Sequence, residues 1–338
     1  MPKTIAAFGE VMMRLEVPGH DLLTQASQLN YSFSGTGVNI AGSLRRLGYS
    51  TKLITTLPNN SLGDAALSYL QKLGISTGDI SRSGKYLGMY FLENGFGARP
   101  SRVTYSNRIE SSFNTADTAN YDFVKMAQDI QLLHVCGITL AMNAQVRSQL
   151  KQLTRLVKEN GGMILFDCNY RPALWGESGY QQAKPHYEEL FKLADMVMMN
   201  EKDALYILGY PSAHTTREKQ LEELIPKIAD TYDISCIAGT HRDVHGDESH
   251  SIRGFLYQDT TFSYASQQHF AVLDRIGAGD AFTTGIIHGL LQSYPAEQTI
   301  QFAVASSMLA HTISGDTSLA SEADIQQAVT AQRQDVIR

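Results

Sequence analysis

The sequence predicts an α/β protein: a doubly wound, mostly parallel sheet with helices on both faces and a small β-sheet lid. Three observations support this. Short apolar runs alternate with longer amphipathic ones along the chain. The apolar runs are continuous, as expected of strands covered on both faces. Two segments, about 12–34 and 86–113, break the rhythm with alternating polar and apolar residues, the pattern of strands lying outside the main sheet.

Taken in order, "TIAAF" is the first buried strand. "MMRLEVPG" and "YSFSG" read as antiparallel lid strands, and "LITT" returns to the main sheet. Ser61 and Asp64 form a capping signal for the helix "LGDAALSYLQKLG". "GMYFLENG" and "SRVTYSNR" complete the lid, with "GFG" at 95–97 as a hairpin turn. After the strand "LLHVC", Asn143 caps a helix in which Val146, Leu150, Leu153 and Val157 recur at spacings of three and four. "ENGG" ends it. "MILFD", "MVMMN", "CIAG" and "FAVL" follow as strands. No repeat, low-complexity tract or linker divides the chain, so residues 1–338 are expected to form one domain.

Composition narrows the function. With 43% hydrophobic and 18% charged residues the chain fills a core, which excludes wholesale disorder. A net charge of −6 argues against nucleic acid as the main partner. Cys136, Cys168 and Cys236 are scattered and odd in number, which fits neither a disulfide framework nor a metal motif. The N-terminal apolar run meets Glu10 too soon for a signal peptide, and no apolar stretch is long enough to cross a bilayer. A soluble, cytoplasmic protein with no membrane contact is the expectation.

Open α/β sheets bind ligands beyond the carboxyl ends of their strands. "MILF" runs into Asp167, Asn169 and Arg171, and "MVMM" into Asn200, Glu201 and Asp203. "CIA" runs into Gly239, Thr240 and His241, and "FAVL" into Asp274 and "GAGDAF". Four strand ends delivering polar groups to one edge indicate a shared site. Backbone amides in the turn Gly277-Ala278-Gly279 would be unpaired at a helix start and suited to phosphate. Asp280 would repel that phosphate unless it has work to do. The work that fits is accepting a proton from a hydroxyl that attacks the phosphate. The plainer reading is an acid in a first helical turn, favoured by the macrodipole. The position after a strand and before the small-residue helix "AFTTG" favours the base. "HRDVHGDESH" has irregular spacing and reads as a solvated loop rather than a metal site. Cys168 reads as a buried small residue, since no histidine is paired with it.

"DRIGAGDAFTTGI" resembles the C-terminal signature of the ribokinase-like sugar kinases, usually DTxGAGD. "SGTGVNIAGSLRRLG", Ser34 to Gly48, resembles their N-terminal signature. "FDCNYRPALW", "YFLENGFGARPSRVTY", "GEVMMRL" and "HTISGD" resemble the 2-keto-3-deoxygluconate kinase subgroup. The resemblance implies Mg²⁺-dependent transfer of the γ-phosphoryl of ATP to the primary hydroxyl of an acidic keto-sugar. It implies Asp280 as base and Gly277, Ala278 and Gly279 as the anion hole. Gly35 and Asn39 match sugar-contacting positions, Tyr90 and Tyr105 match lid tyrosines, and Arg171 matches an arginine serving substrate and phosphates. A guanidinium fork suits a sugar carboxylate. Asn200, Gly239, Thr240 and Asp274 are assigned to the nucleotide side, and Asp203 to Mg²⁺ through water, where the wider family has glutamate.

Some positions depart from the pattern. The subgroup's carboxylate-binding arginine stands two residues after the second lid tyrosine. Arg108 stands three after Tyr105 and reaches the substrate only if a bulge absorbs the shift. Ser34 and Thr36 replace small residues, and Arg275 replaces a threonine. The resemblance further implies a homodimer or higher homo-oligomer and leaves a monovalent cation open. Fructose, another neutral sugar or a nucleoside are the alternative substrates. A dinucleotide oxidoreductase would need a GxGxxG turn after the first strand, where "GEVMMRL" stands instead. A sugar-binding regulator without turnover is the reading from a different class.

Overall fold

In the computed structural model, which describes residues 4–246 and 249–330, the apolar runs become strands of one large sheet. In chain order the strands are β1 (Thr4–Phe8), β2 (Met12–Glu16), β3 (Asn30–Ser34), β4 (Thr51–Leu57), β5 (Ile80–Arg82), β6 (Gly88–Glu93), β7 (Arg102–Ser106), β8 (Ile130–Cys136), β9 (Met163–Asp167), β10 (Met196–Met198), β11 (Cys236–Val244), β12 (His250–Gln258), β13 (Thr261–Tyr264) and β14 (Gln268–Phe270). The large sheet runs β13-β12-β11-β10-β9-β8-β1-β4-β5, with β14 on β12. From β11 to β5 every pairing is parallel. The chain winds one way from β1 to β4 and the other way from β8 to β9. The crevice between β1 and β8 is therefore the topological switch point, where such sheets bind ligands.

Alternation along each buried strand splits the core in two. Leu133, Val135, Ile164 and Phe166 pack with Val146, Leu150, Leu153 and Val157 on one face. Leu132 and Leu165 pack with Ile40, Leu44, Phe282 and Ile286 on the other. Every second side chain points the opposite way, so a continuous apolar run feeds both helix layers. The helix Ala144–Glu159 starts as its sequence predicts: Val146 N donates to Asn143 Oδ1 at 2.9 Å.

Four expectations are corrected. The helix Ser61–Lys72 is capped by Asn60, whose Oδ1 accepts from Leu62 N and Gly63 N; Ser61 is already helical. The lid is a four-stranded sheet ordered β3-β2-β6-β7 but is not wholly antiparallel, because β2 pairs with β6 in parallel. "FAVL" is not a strand of the parallel sheet. β14 ends at Phe270 and pairs antiparallel with β12, and Leu273 N and Asp274 N then donate to His311 O. "HRDVHGDESH" is not a loop throughout. His241–Val244 belong to β11 and His250 opens β12, each paired across an antiparallel hairpin that satisfies its backbone groups. Asp247 and Glu248 of that stretch lie outside the described residues.

The turn at 95–97 does join a hairpin: Phe96 and Arg99 exchange backbone hydrogen bonds between the antiparallel strands β6 and β7. All three cysteines are free and buried. Among the described residues no helix is long and apolar enough to cross a membrane, and no cluster of three or more His, Cys, Asp or Glu is arranged to hold a metal.

Candidate active site

A cavity of about 1040 Å³ opens at the carboxyl ends of the central strands. The turn before the helix Ala278–Leu291 forms part of its wall. Gly277 is left-handed, with φ at 82°. A Cβ there would also meet Asp316 O at 1.8 Å, so conformation and packing both demand glycine. No side chain caps this helix, which leaves its first amides available to an anion. Gly277 and Gly279 line the cavity, whereas Ala278 is buried beside them.

Asp280 follows in the first helical turn and also lines the cavity. Burial pushes its carboxyl up to about 8. Asn39 Nδ2 donates to Oδ2 at 2.7 Å and pulls the other way, while the fields of Asp167 and Asp316 add to the rise. Thr317 Oγ1 donates to Asn39 Oδ1 at 3.1 Å, which fixes the amide with its NH₂ toward Asp280. The backbone places Asn39 there through Gly35, with φ at 153°, where a Cβ would strike Glu10 O at 2.2 Å.

Further acids stand at neighbouring strand ends. Asp167 closes β9, and burial raises it to about 6 against the opposing charge of Arg171. Asp203 is raised to about 7, chiefly by burial. Asn200 N, donating to its Oδ2 at 2.8 Å, resists the rise, and Asp167 and Glu201 add to it. Glu201 behaves differently. Burial alone would raise it, but hydrogen bonds with His241 and Arg217 hold it at about 2. Arg171 lines the cavity, and its Nη1 donates to the adjacent Tyr170 O at 3.2 Å. Asn200, Gly239 and Thr240 line the same cavity.

The lid supplies the roof. Met12, Ser34, Tyr90, Val103 and Tyr105 line the cavity from all four of its strands. Tyr90 and Tyr105 are register partners, with ring centroids 6.2 Å apart.

A family model for the pfkB carbohydrate kinases matches residues 2–323. The chain belongs to the pfkB family of carbohydrate kinases. A provisionally assigned 2-keto-3-deoxygluconate kinase from Enterococcus faecalis shares 35% identity and superposes with a TM-score of 0.95 over 99% of each chain. A 2-dehydro-3-deoxygluconokinase from Thermotoga maritima shares 28% over 98% of this chain and 99% of its own, with a TM-score of 0.92. A 2-dehydro-3-deoxygalactonokinase from Haloferax volcanii is 26% identical over 97% of each chain.

Two expected site residues of the kinase are engaged elsewhere. Arg108 does not line the cavity. Asn107, left-handed with φ at 53°, turns the chain after β7. Arg108 Nε then donates to Glu10 Oε2 at 3.0 Å, and its guanidinium lies over the Tyr105 ring at 4.8 Å. Asp274 does not line it either. Its carboxylate accepts from Ile276 N at 3.0 Å and from Arg14 Nη2 at 2.7 Å.

Two residues in or behind the cavity wall, Asp316 and Arg14, were not marked by the sequence as site members. Asp167 was visible at a strand end but drew no role of its own. Arg14 sits on the alternating face of "MMRLE" shared with Met12, where a charge amid methionines was the available signal. Asp316 lies in "HTISGD", whose family likeness was visible but whose contacts, 226 and 302 positions away, were not.

Proposed function

We propose that this kinase phosphorylates the primary hydroxyl of 2-keto-3-deoxygluconate, with ATP as donor and Mg²⁺ bound alongside. The observation that carries the reading is the meeting, in one cavity, of a buried carboxylate on an anion turn with a guanidinium and a tyrosine-lined lid. Asn39 engages one oxygen of Asp280, leaving Oδ1 for the substrate hydroxyl. Asp280 accepts the hydroxyl proton as that oxygen bonds to the γ-phosphorus and the bond to the ADP oxygen breaks. A carboxyl near 8 is matched to proton transfer at neutral pH. The amides of the Gly277–Gly279 turn take up charge on the phosphoryl oxygens. Arg171 binds the sugar carboxylate, and Tyr90 and Tyr105 close over the sugar ring.

Asp167 and Asp203 fit the metal. Both carboxyls are raised by burial, and the charge of Asp167 raises Asp203 further, a repulsion that a cation relieves. Two carboxylates suit Mg²⁺, which keeps several waters and leans on substrate phosphates. When bound, the ion neutralises charge on those phosphates.

The names of the Enterococcus and Thermotoga neighbours support this substrate. The Haloferax relative, matched along nearly its whole length, favours a second reading: the C4 epimer of the same sugar acid. An ADP-release assay decides among them. The panel holds both epimers, fructose and a nucleoside, with Asp280→Asn as blank. One or both sugar acids should give the highest kcat/KM. Arg171→Met should raise KM for the sugar acid about 10- to 100-fold, the loss of a charge-assisted hydrogen-bond pair. A higher kcat/KM for fructose or the nucleoside overturns the substrate. Wild-type rates no better than the blank across the panel leave a sugar-binding regulator.

A further inference from the structure

Arg14 is among the most deeply buried side chains of the described residues, at 1% exposure, yet it belongs to the lid strand β2. Its guanidinium meets three carboxylates. Nη2 donates to Asp274 Oδ2 and lies 3.0 Å from Glu16 Oε2, and Nη1 donates to Asp316 Oδ1. The other Asp316 oxygen accepts from Tyr90 OH, which lies 3.0 Å from Ser34 Oγ. Strands β2 and β6 of the lid therefore converge on Asp316 directly, and β3 through Tyr90.

Asp274 and Asp316 in turn grip the glycine turn from two sides. Asp274 accepts from Ile276 N at 3.0 Å, immediately before Gly277, and from Gly315 N at 3.2 Å. The Asp316 carbonyl packs directly behind Gly277, where it leaves no room for a Cβ. The segments 274–276 and 315–316 thus clamp the turn, and a single guanidinium bridges the carboxylates of Asp274 and Asp316.

We propose that Arg14 is a positioning residue that ties the seated lid to the anion turn, so that the Gly277–Gly279 amides are aligned only when β2 is docked. This rests on that turn being the phosphoryl site. A planar fork is needed because the two body carboxylates engage different nitrogens, Nη1 and Nη2, and an ammonium offers one compact charge without that geometry. Without Arg14, the buried carboxylates of Asp274 and Asp316 lose the cation they share, and the clamp opens.

Two readouts test it. In Arg14→Ala and Arg14→Lys, ADP release should show kcat about 100-fold down, the scale expected of a displacement near 1 Å, with KM for both substrates within about threefold. Guanidinium added at tens of millimolar should recover about tenfold of the loss in Arg14→Ala and none in Asp316→Asn, which loses an acceptor charge rather than the donor. The second readout needs no turnover. Amide hydrogen exchange in a peptide covering 274–282 should quicken about tenfold in both Arg14 variants, while exchange in the helix Ala144–Glu159 stays at wild-type rates. Should Arg14→Ala not fold, Arg14→Lys carries the kcat and KM comparison and the exchange measurement. Unchanged exchange at 274–282 overturns the proposal. So does a loss of kcat that guanidinium leaves untouched, or one matched by equal rises in both KM values. A wild-type enzyme inactive on every sugar, with exchange at 274–282 still responding to Arg14, would instead count against the substrate assignment.

Discussion

Replacing Asp280 by Asn should stabilise the protein while it abolishes turnover, and the stabilisation should depend on pH. The Asp280 carboxyl sits at about 8, against an ordinary 3.8, chiefly because it is buried. Between those values the folded protein keeps a proton that the unfolded chain has released, so stability falls as pH rises through that window. At about 1.36 kcal/mol per pH unit the full difference is worth nearly 6 kcal/mol. That is a ceiling, because Asp280 lines an open cavity, where the effective dielectric is far above that of a dry core. A realistic figure is about 1–3 kcal/mol. Asn is neutral at every pH, and its side-chain oxygen still accepts from Asn39. At about pH 8.5 the melting temperature of Asp280→Asn should exceed that of wild type by about 2–5 °C, and at about pH 5 by much less. Turnover should drop by about 10²–10⁴ or more, and the residual rate should lose the rise that wild type shows up to about pH 8. Differential scanning fluorimetry and ADP release on the same samples give both quantities. A variant no more stable than wild type at alkaline pH would refute the buried, proton-holding carboxyl. One with near-normal turnover would refute the base.

Asn39→Ala removes the donor that favours the charged form of Asp280, so the acid limb of the pH–rate profile should move up by about one pH unit. The rate at about pH 7 should fall about tenfold and recover near pH 9.5, and an unmoved limb would show that Asn39 serves the sugar alone. Gly277→Ala forces a left-handed alanine against Asp316 O and should cost about 2 kcal/mol or more, read as a lower melting temperature with loss of turnover. A stable, active Gly277→Ala enzyme would mean that the turn is free to move.

The parallel sheet was legible because strands buried on two faces write themselves as unbroken apolar runs, as "MILFD" and "LLHVC" do. "FAVL" has the same composition but pairs along no parallel neighbour. Backbone bonds to His311, from a distant helix end, decide its path. Asp280 was legible because a glycine turn and its acid are contiguous. Its partner Asn39 was visible as a signature residue, but its contact with Asp280 spans 241 positions, and no periodicity encodes such a pairing. Arg14 was less legible still. Its partners lie 260 and 302 positions away, and the strand pattern marks its face without saying what that face meets. Arg108 turned on one backbone angle, the left-handed Asn107, which asparagine tolerates but does not announce.

The parallel pairing of β2 with β6 also bears on how the molecule assembles. Met12 sits beside Gly88, so the central ladder of the lid joins segments 88 − 12 = 76 positions apart, with β4, β5 and two helices of the body between them. Such a ladder cannot zip from a local turn. It must wait for the intervening chain to collapse and bring its two ends together. Of the lid, only the β6–β7 and β2–β3 hairpins can form early, and each alone is too small to persist in water. In a refolding experiment the far-UV signal of the body should therefore recover before enzymatic competence. For the same reason the lid cannot be cut out and grafted as a contiguous cassette.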